Sequence, residues 1–75
     1  MLNRRVGVLM KRYSLKMFRE KQDLTQEEMS EKLGISKSHY VNIELGIYDP
    51  SYELLERFSQ IFEYDDVWEL FKKGA

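Results

Sequence analysis

Few of the 75 residues carry reactive side chains. There is one histidine, His39, and no cysteine, so disulfides, a thiolate metal site and a Cys nucleophile are all excluded. The spacing around His39 offers no carboxylate partners for a metal ion, and neither a metal nor a cofactor is expected. What remains is hydrogen-bonding chemistry, concentrated in Ser36-Lys37-Ser38-His39-Tyr40-Val41-Asn42-Ile43. Ser36, Lys37, Ser38, His39 and Asn42 set polar groups along one edge of that segment, and Tyr40 and Ile43 set apolar groups behind it. A helix built this way suits the major groove of a duplex, where base edges show a distinct pattern of donors and acceptors.

The elements that must hold this segment are helical. Strong helix formers are abundant, the single Pro sits in a turn, and no stretch alternates like a strand. A first helix is expected from Lys11 to Lys21, with Leu15 and Phe18 on one face; Val6, Val8 and Leu9 could extend it, against Gly7. Residues 1–10 therefore read as an extension, a basic arm or a helix start, and Met10 offers an alternative start. Thr25-Gln26-Glu27-Glu28 has the spacing of a capping box, which opens a second helix through Met29 and Leu33. Gly34 stops it, as suits the left-handed position after a helix. Ser36 caps the third helix, Lys37 to Glu44, which Gly46 ends. Asp49-Pro50-Ser51 is a turn and a cap for a fourth helix carrying Leu54, Leu55, Phe58, Ile61 and Phe62. Asp66 and Glu69 have capping-box spacing before a short fifth helix with Val67, Trp68, Leu70 and Phe71, and Lys72 and Lys73 suit its C-terminal dipole. The expected fold is all-α, a compact five-helix bundle, with one domain over residues 11–73.

Composition bounds the function. The length allows one domain, and no apolar run approaches a membrane span or a signal-peptide core, so a cytoplasmic protein without a membrane partner is expected. An enzyme is not expected. The net charge of −1 argues mildly against nucleic acid. However, residues 1–48 hold nine Lys and Arg against six Asp and Glu, while residues 49–75 hold three against seven. That asymmetry reads either as a side presented to a polyanion or as chance clustering on a charged helical surface.

Two short helices around a Gly-containing turn, the second polar on one edge, form a helix-turn-helix arrangement: one helix braces and the other projects. The ordered stretches Leu24-Thr25-Gln26-Glu27-Glu28-Met29, Lys32-Leu33-Gly34-Ile35-Ser36, Ile43-Glu44-Leu45-Gly46 and Pro50-Ser51 make the chain resemble the phage repressor and Cro (XRE, lambda-repressor-like) family over about residues 15–71. The resemblance implies that Lys37, Ser38, Asn42 and His39 contact bases, and that Gln26, Ser36, Tyr40 and Tyr48 contact phosphates. Gln26 matches a family Gln that holds a phosphate and braces the recognition helix. Arg19 and Glu44 match a structural ion pair between the first and third helices.

The chain also departs from that pattern. Ser30 stands where the family prefers Ala. Leu45, Ile47 and Tyr48 stand where polar or basic residues often grip the duplex backbone, which implies either a shallower salt dependence or compensation from Arg4, Arg5, Lys11 and Arg12. Family members commonly pair as dimers on palindromic sites. Val67, Trp68, Leu70 and Phe71 exceed what a three-turn fifth helix needs for its own core; they either close the bundle or, in part, serve a homodimer, which is expected here. The resemblance thus implies a sequence-specific transcription regulator, a repressor that occupies an operator in double-stranded DNA. An alternative is a protein-interaction module, an antitoxin or adaptor, with a protein as its main partner.

Overall fold

Each helix begins and ends where a particular side chain or turn residue satisfies its unpaired backbone groups. The computed structural model describes residues 10–75. Expectations that rest on residues 1–9, including Arg4, Arg5 and an early start of the first helix, lie outside the described residues. Five helices follow in order: α1 Tyr13–Lys21, α2 Gln26–Leu33, α3 Lys37–Glu44, α4 Tyr52–Phe62 and α5 Val67–Leu70.

At the start of α2 the Glu28 amide donates to Thr25 Oγ1 at 3.0 Å, and the Thr25 amide donates to Glu28 Oε1 at 2.9 Å, completing the capping box. Gly34 closes α2 at φ 72°, the left-handed geometry that a side chain would strain. The guanidinium of Arg57, on α4, donates to the Leu33 carbonyl at 2.5 Å, so the open C-terminal end of α2 finds a cationic partner on another helix. Ser36 and Ser51 cap α3 and α4 by accepting from the amides of His39 and Leu54.

The core lies between these elements. Leu15, Met29, Leu33, Tyr40, Ile43 and Phe58 are fully buried, with Leu54, Leu55, Val67, Leu70 and Phe71 nearly so. Fully burying a large apolar side chain stabilises by about 1.5–3 kcal/mol. An aromatic cluster closes one side: Phe18 meets Phe58, Phe62 and Tyr64, each with ring centroids 5.3 Å apart. Ser30 is buried where α2 meets its neighbours, and its hydroxyl donates to the Glu27 carbonyl at 2.6 Å. A small side chain that satisfies its own polar group fits there.

Four expectations are corrected. First, α1 begins at Tyr13 and not at Lys11, because Arg12 is drawn out of helical geometry, its amide donating to the Glu44 carbonyl at 2.8 Å. Second, Ile61 does not join the core stripe of α4; it is exposed near the end of that helix. Third, the Asp66–Glu69 capping box does not form. Asp66 makes no side-chain cap, and Glu69 pairs with Lys72 at 2.8 Å. Fourth, α5 is a single turn, and Val67, Leu70 and Phe71 are spent inside the bundle. They have little surface left for a dimer contact, because the small core takes most of it. Only Trp68, 66% exposed, remains of that set.

Candidate DNA interface

The arrangement of α3 follows from which of its residues the core takes. Tyr40, Ile43 and Glu44 are buried, and the helix advances about 100° per residue. The opposite, outward side therefore centres on Ser38, Asn42 and Leu45. Lys37 and Val41 flank it on one side and His39 on the other. Lys37 and Ser38 are exposed, while His39, Val41 and Asn42 are half-exposed. Ser36 stands at the N-terminal end, with its hydroxyl accepting from the His39 amide at 3.0 Å.

Beyond α3 the turn folds back on the helix. The amides of Ile47 and Tyr48 both donate to the Asn42 carbonyl, at 2.9 and 3.2 Å. This places the half-exposed Tyr48 ring against His39, with centroids 5.6 Å apart. His39 is thus held at the rim of the outward edge, away from the core. Gly46, at φ 84°, makes the reversal possible: a Cβ there would lie 2.3 Å from the Met10 carbonyl oxygen.

The rear of α3 is fixed by a buried polar network centred on Glu44. Arg19 Nε donates to Glu44 Oε2 at 2.6 Å, and Arg19 Nη1 donates to the Leu24 carbonyl at 2.7 Å. Gln26 Nε2 donates to Glu44 Oε1 at 3.2 Å. The network therefore ties α1, the start of α2 and the end of α3 together. Its ionic members satisfy one another, which is the condition for a buried charge to be tolerated. The Glu44 carboxylate raises the Arg19 guanidinium above its ordinary range, so that side chain stays charged.

Tyr40 requires a correction. Its ring has no exposed surface, and its hydroxyl donates to Glu44 Oε2. A phosphate cannot reach it. Burial, and then the bond to Glu44, push the phenol well above its ordinary range, so it stays a donor. Tyr40 thus inserts its hydroxyl beside the Arg19–Glu44 pair while its ring fills the core.

Arg12 is the second correction. In place of a free cation for the duplex backbone, the structure shows a guanidinium 3% exposed. Its Nε donates to the Phe71 carbonyl at 2.7 Å, and its Nη1 to those of Ile43 and Tyr48 at 2.6 and 2.9 Å. Its Nη2 meets Asp49 Oδ1 at 2.8 Å. The same carboxylate lies 3.3 Å from Lys73 Nζ. Arg12 and then Lys73 hold the Asp49 carboxyl below its ordinary range. Arg12 therefore fastens the turn after α3 to the C-terminal stretch. No local signal in the sequence separates it from an exposed basic residue.

Val41 escaped the sequence reading. It is apolar and sits among polar residues, yet its register, one turn beyond Lys37, puts it on the same side. Helical spacing from Lys37 was the available signal.

The combination is now specific: a capped brace helix, a left-handed glycine turn, and a second helix buried along Tyr40–Ile43–Glu44 with a polar outward edge. The HTH_3 helix-turn-helix family matches residues 15–68 of this chain. The chain belongs to the XRE-type helix-turn-helix family. Similar proteins include an uncharacterized HTH-type transcriptional regulator of Methanocaldococcus jannaschii, 42% identical over 64% of this chain and 73% of its own length. Another, from Archaeoglobus fulgidus, is 35% identical over 68% of this chain and 72% of its own. The uncharacterized regulator YqaE of Bacillus subtilis is 40% identical over 67% of this chain, but the match spans only 43% of that protein. No solved structure gives a significant match. In this member of the helix-turn-helix family, the described residues include no helix long and apolar enough to cross a membrane.

Proposed function

We propose that this helix-turn-helix protein is a sequence-specific DNA-binding transcription regulator, acting as a homodimeric repressor on a palindromic operator in the cytoplasm. The observation that carries the reading is the outward edge of α3, where Lys37, Ser38 and Asn42 project from a helix locked in place by the Glu44 network. Lys37 donates to guanine O6 or N7 and Ser38 to either kind of base edge; the Val41 methyls suit a thymine methyl. Asn42 and His39 complete the base-facing set. Ser36, Gln26 and Tyr48 serve the flanking phosphates. Gln26 gives one amide hydrogen to Glu44 and keeps the other for a phosphate oxygen. No step of this function requires catalysis.

Dimerisation rests on Trp68. It lines a groove of about 530 Å³ with Pro50, Leu55 and Phe71 and with the charged Arg12, Asp49, Lys72 and Lys73. An exposed tryptophan beside an apolar groove on the same chain suits a two-fold contact, each copy offering both parts.

The test is footprinting on the DNA upstream of the gene. A protected inverted repeat is expected, with Lys37→Ala weakening discrimination at one base pair by about 1–3 kcal/mol. No protection even at low salt would overturn the reading. The exposed Ile47, Tyr48 and Trp68 favour the second reading, a protein-interaction module. It would be supported by capture of a neighbouring gene product in the absence of DNA.

A further inference from the structure

The turn after α3 carries Ile47 and Tyr48 and no cation, and Arg12 is consumed internally. A duplex on the α3 edge would lack backbone charge there unless another element supplied it. Among the described residues, one place can. Lys11, Arg12, Tyr13, Lys16, Gln26, Glu44 and Leu45 line a notch of about 130 Å³ between the starts of α1 and α2 and the end of α3. Leu45 belongs to both this notch and the outward side of α3, so the two surfaces are continuous.

The charges in the notch are unequal in what they have left to give. Glu44 is neutralised by Arg19 and accepts from Tyr40 and Gln26, and it is 5% exposed. The guanidinium of Arg12 is engaged by three carbonyls and Asp49. Lys11 and Lys16, by contrast, are both exposed, and among the described residues neither has an ion-pair partner. Tyr13 adds a phenol, half-exposed, and Gln26 an amide held in orientation by Glu44. Two free ammonium groups and two neutral donors around one opening suit a phosphodiester anion.

We infer that this notch is a phosphate-binding subsite for duplex DNA, in which Lys11 and Lys16 on the α1 side replace the cation missing after the recognition helix. The inference rests on the DNA-binding reading above and adds a site to it. Because phosphates carry no sequence information, the subsite strengthens binding to all duplexes alike.

Salt dependence tests it. Binding to a short mixed-sequence duplex is followed by fluorescence anisotropy across a salt series for wild type, the Lys11→Gln/Lys16→Gln double variant and a Lys21→Gln control. Lys21 is an exposed lysine at the other end of α1, outside the notch. Each phosphate contact contributes about 0.9 to the slope of log Kobs on log salt, so the double variant is expected to lose about 1.8. Its affinity deficit relative to wild type then shrinks about 12-fold between about 50 and 200 mM salt. Lys21→Gln leaves the slope within error, and Lys11→Arg/Lys16→Arg restores it. An unchanged slope in a double variant with wild-type melting overturns the subsite, as does an equal loss from Lys21→Gln. If wild type protects an operator in either case, the DNA-binding reading survives. Failure of wild type to bind any duplex overturns both.

Discussion

Glu44 shows how a single residue's role depends on what surrounds it. Its carboxylate takes hydrogen bonds from Arg19, Gln26 and Tyr40, three side chains from three helices. Removing the Tyr40 hydroxyl leaves a buried carboxylate one donor short. Hydrogen bonds to charged groups contribute about 1.5–3 kcal/mol, so Tyr40→Phe is expected to lower unfolding stability by that order in urea titration. An unchanged stability would mean that Glu44 relaxes onto Arg19 and Gln26 alone. The Arg19–Glu44 pair and the bracing role of Gln26 were legible only through the family resemblance, whose matching stretches hold Gln26 and Glu44 but not Arg19. The hydroxyl of Tyr40 was not: a tyrosine at a core position reads as packing, even though its partner Glu44 lies one turn further along the same helix. Arg12 was misread because a basic residue in the first turn of an expected helix looks solvent-exposed until distant carbonyls surround it.

At the scale of elements, the chain's punctuation was the most readable feature. Thr25, Gly34, Ser36 and Ser51 act locally, on amides three residues away or on their own backbone angles, so α2, α3 and α4 are found where the spacing puts them. Of the ends that were missed, the start of α1 depends on a contact from afar, Arg12 with Glu44, whereas at α5 a local rival wins, Glu69 pairing with Lys72 three residues on. The two turn glycines around α3 make a quantitative contrast. At Gly34 an added Cβ would meet only Arg57 Nη1, at 3.5 Å, whereas at Gly46 it would meet backbone at 2.3 Å. Gly34→Ala is expected to cost about 1 kcal/mol, the penalty of left-handed geometry alone. Gly46→Ala should cost more, roughly 1–3 kcal/mol, because the Met10 backbone must also move. Denaturant melts of the two variants rank them directly, and the reverse order would refute the close approach.

For the whole molecule, the decisive feature is how little apolar surface a chain this small can spare. Val67, Leu70 and Phe71 go into the core, and Trp68 is left outside. On the homodimer reading, Trp68→Glu should yield a monomer by sedimentation while changing unfolding stability by no more than about 0.5 kcal/mol, as for other surface substitutions. Leu70→Glu, at a site 7% exposed, should instead unfold the domain. A Trp68→Glu protein that sediments like wild type would remove the dimer surface from α5.

The sequence by itself determined the helices, the brace-and-project pair and the polar edge of α3, because caps, glycine turns and apolar spacing act within a few residues along the chain. Tertiary structure alone decided which basic and aromatic residues face outward. Arg12 was drawn inside, and Lys11, Lys16 and Trp68 were left outside. The physical reason is that burial depends on partners tens of residues away, and a polar group is taken into the core only where those partners meet its hydrogen bonds.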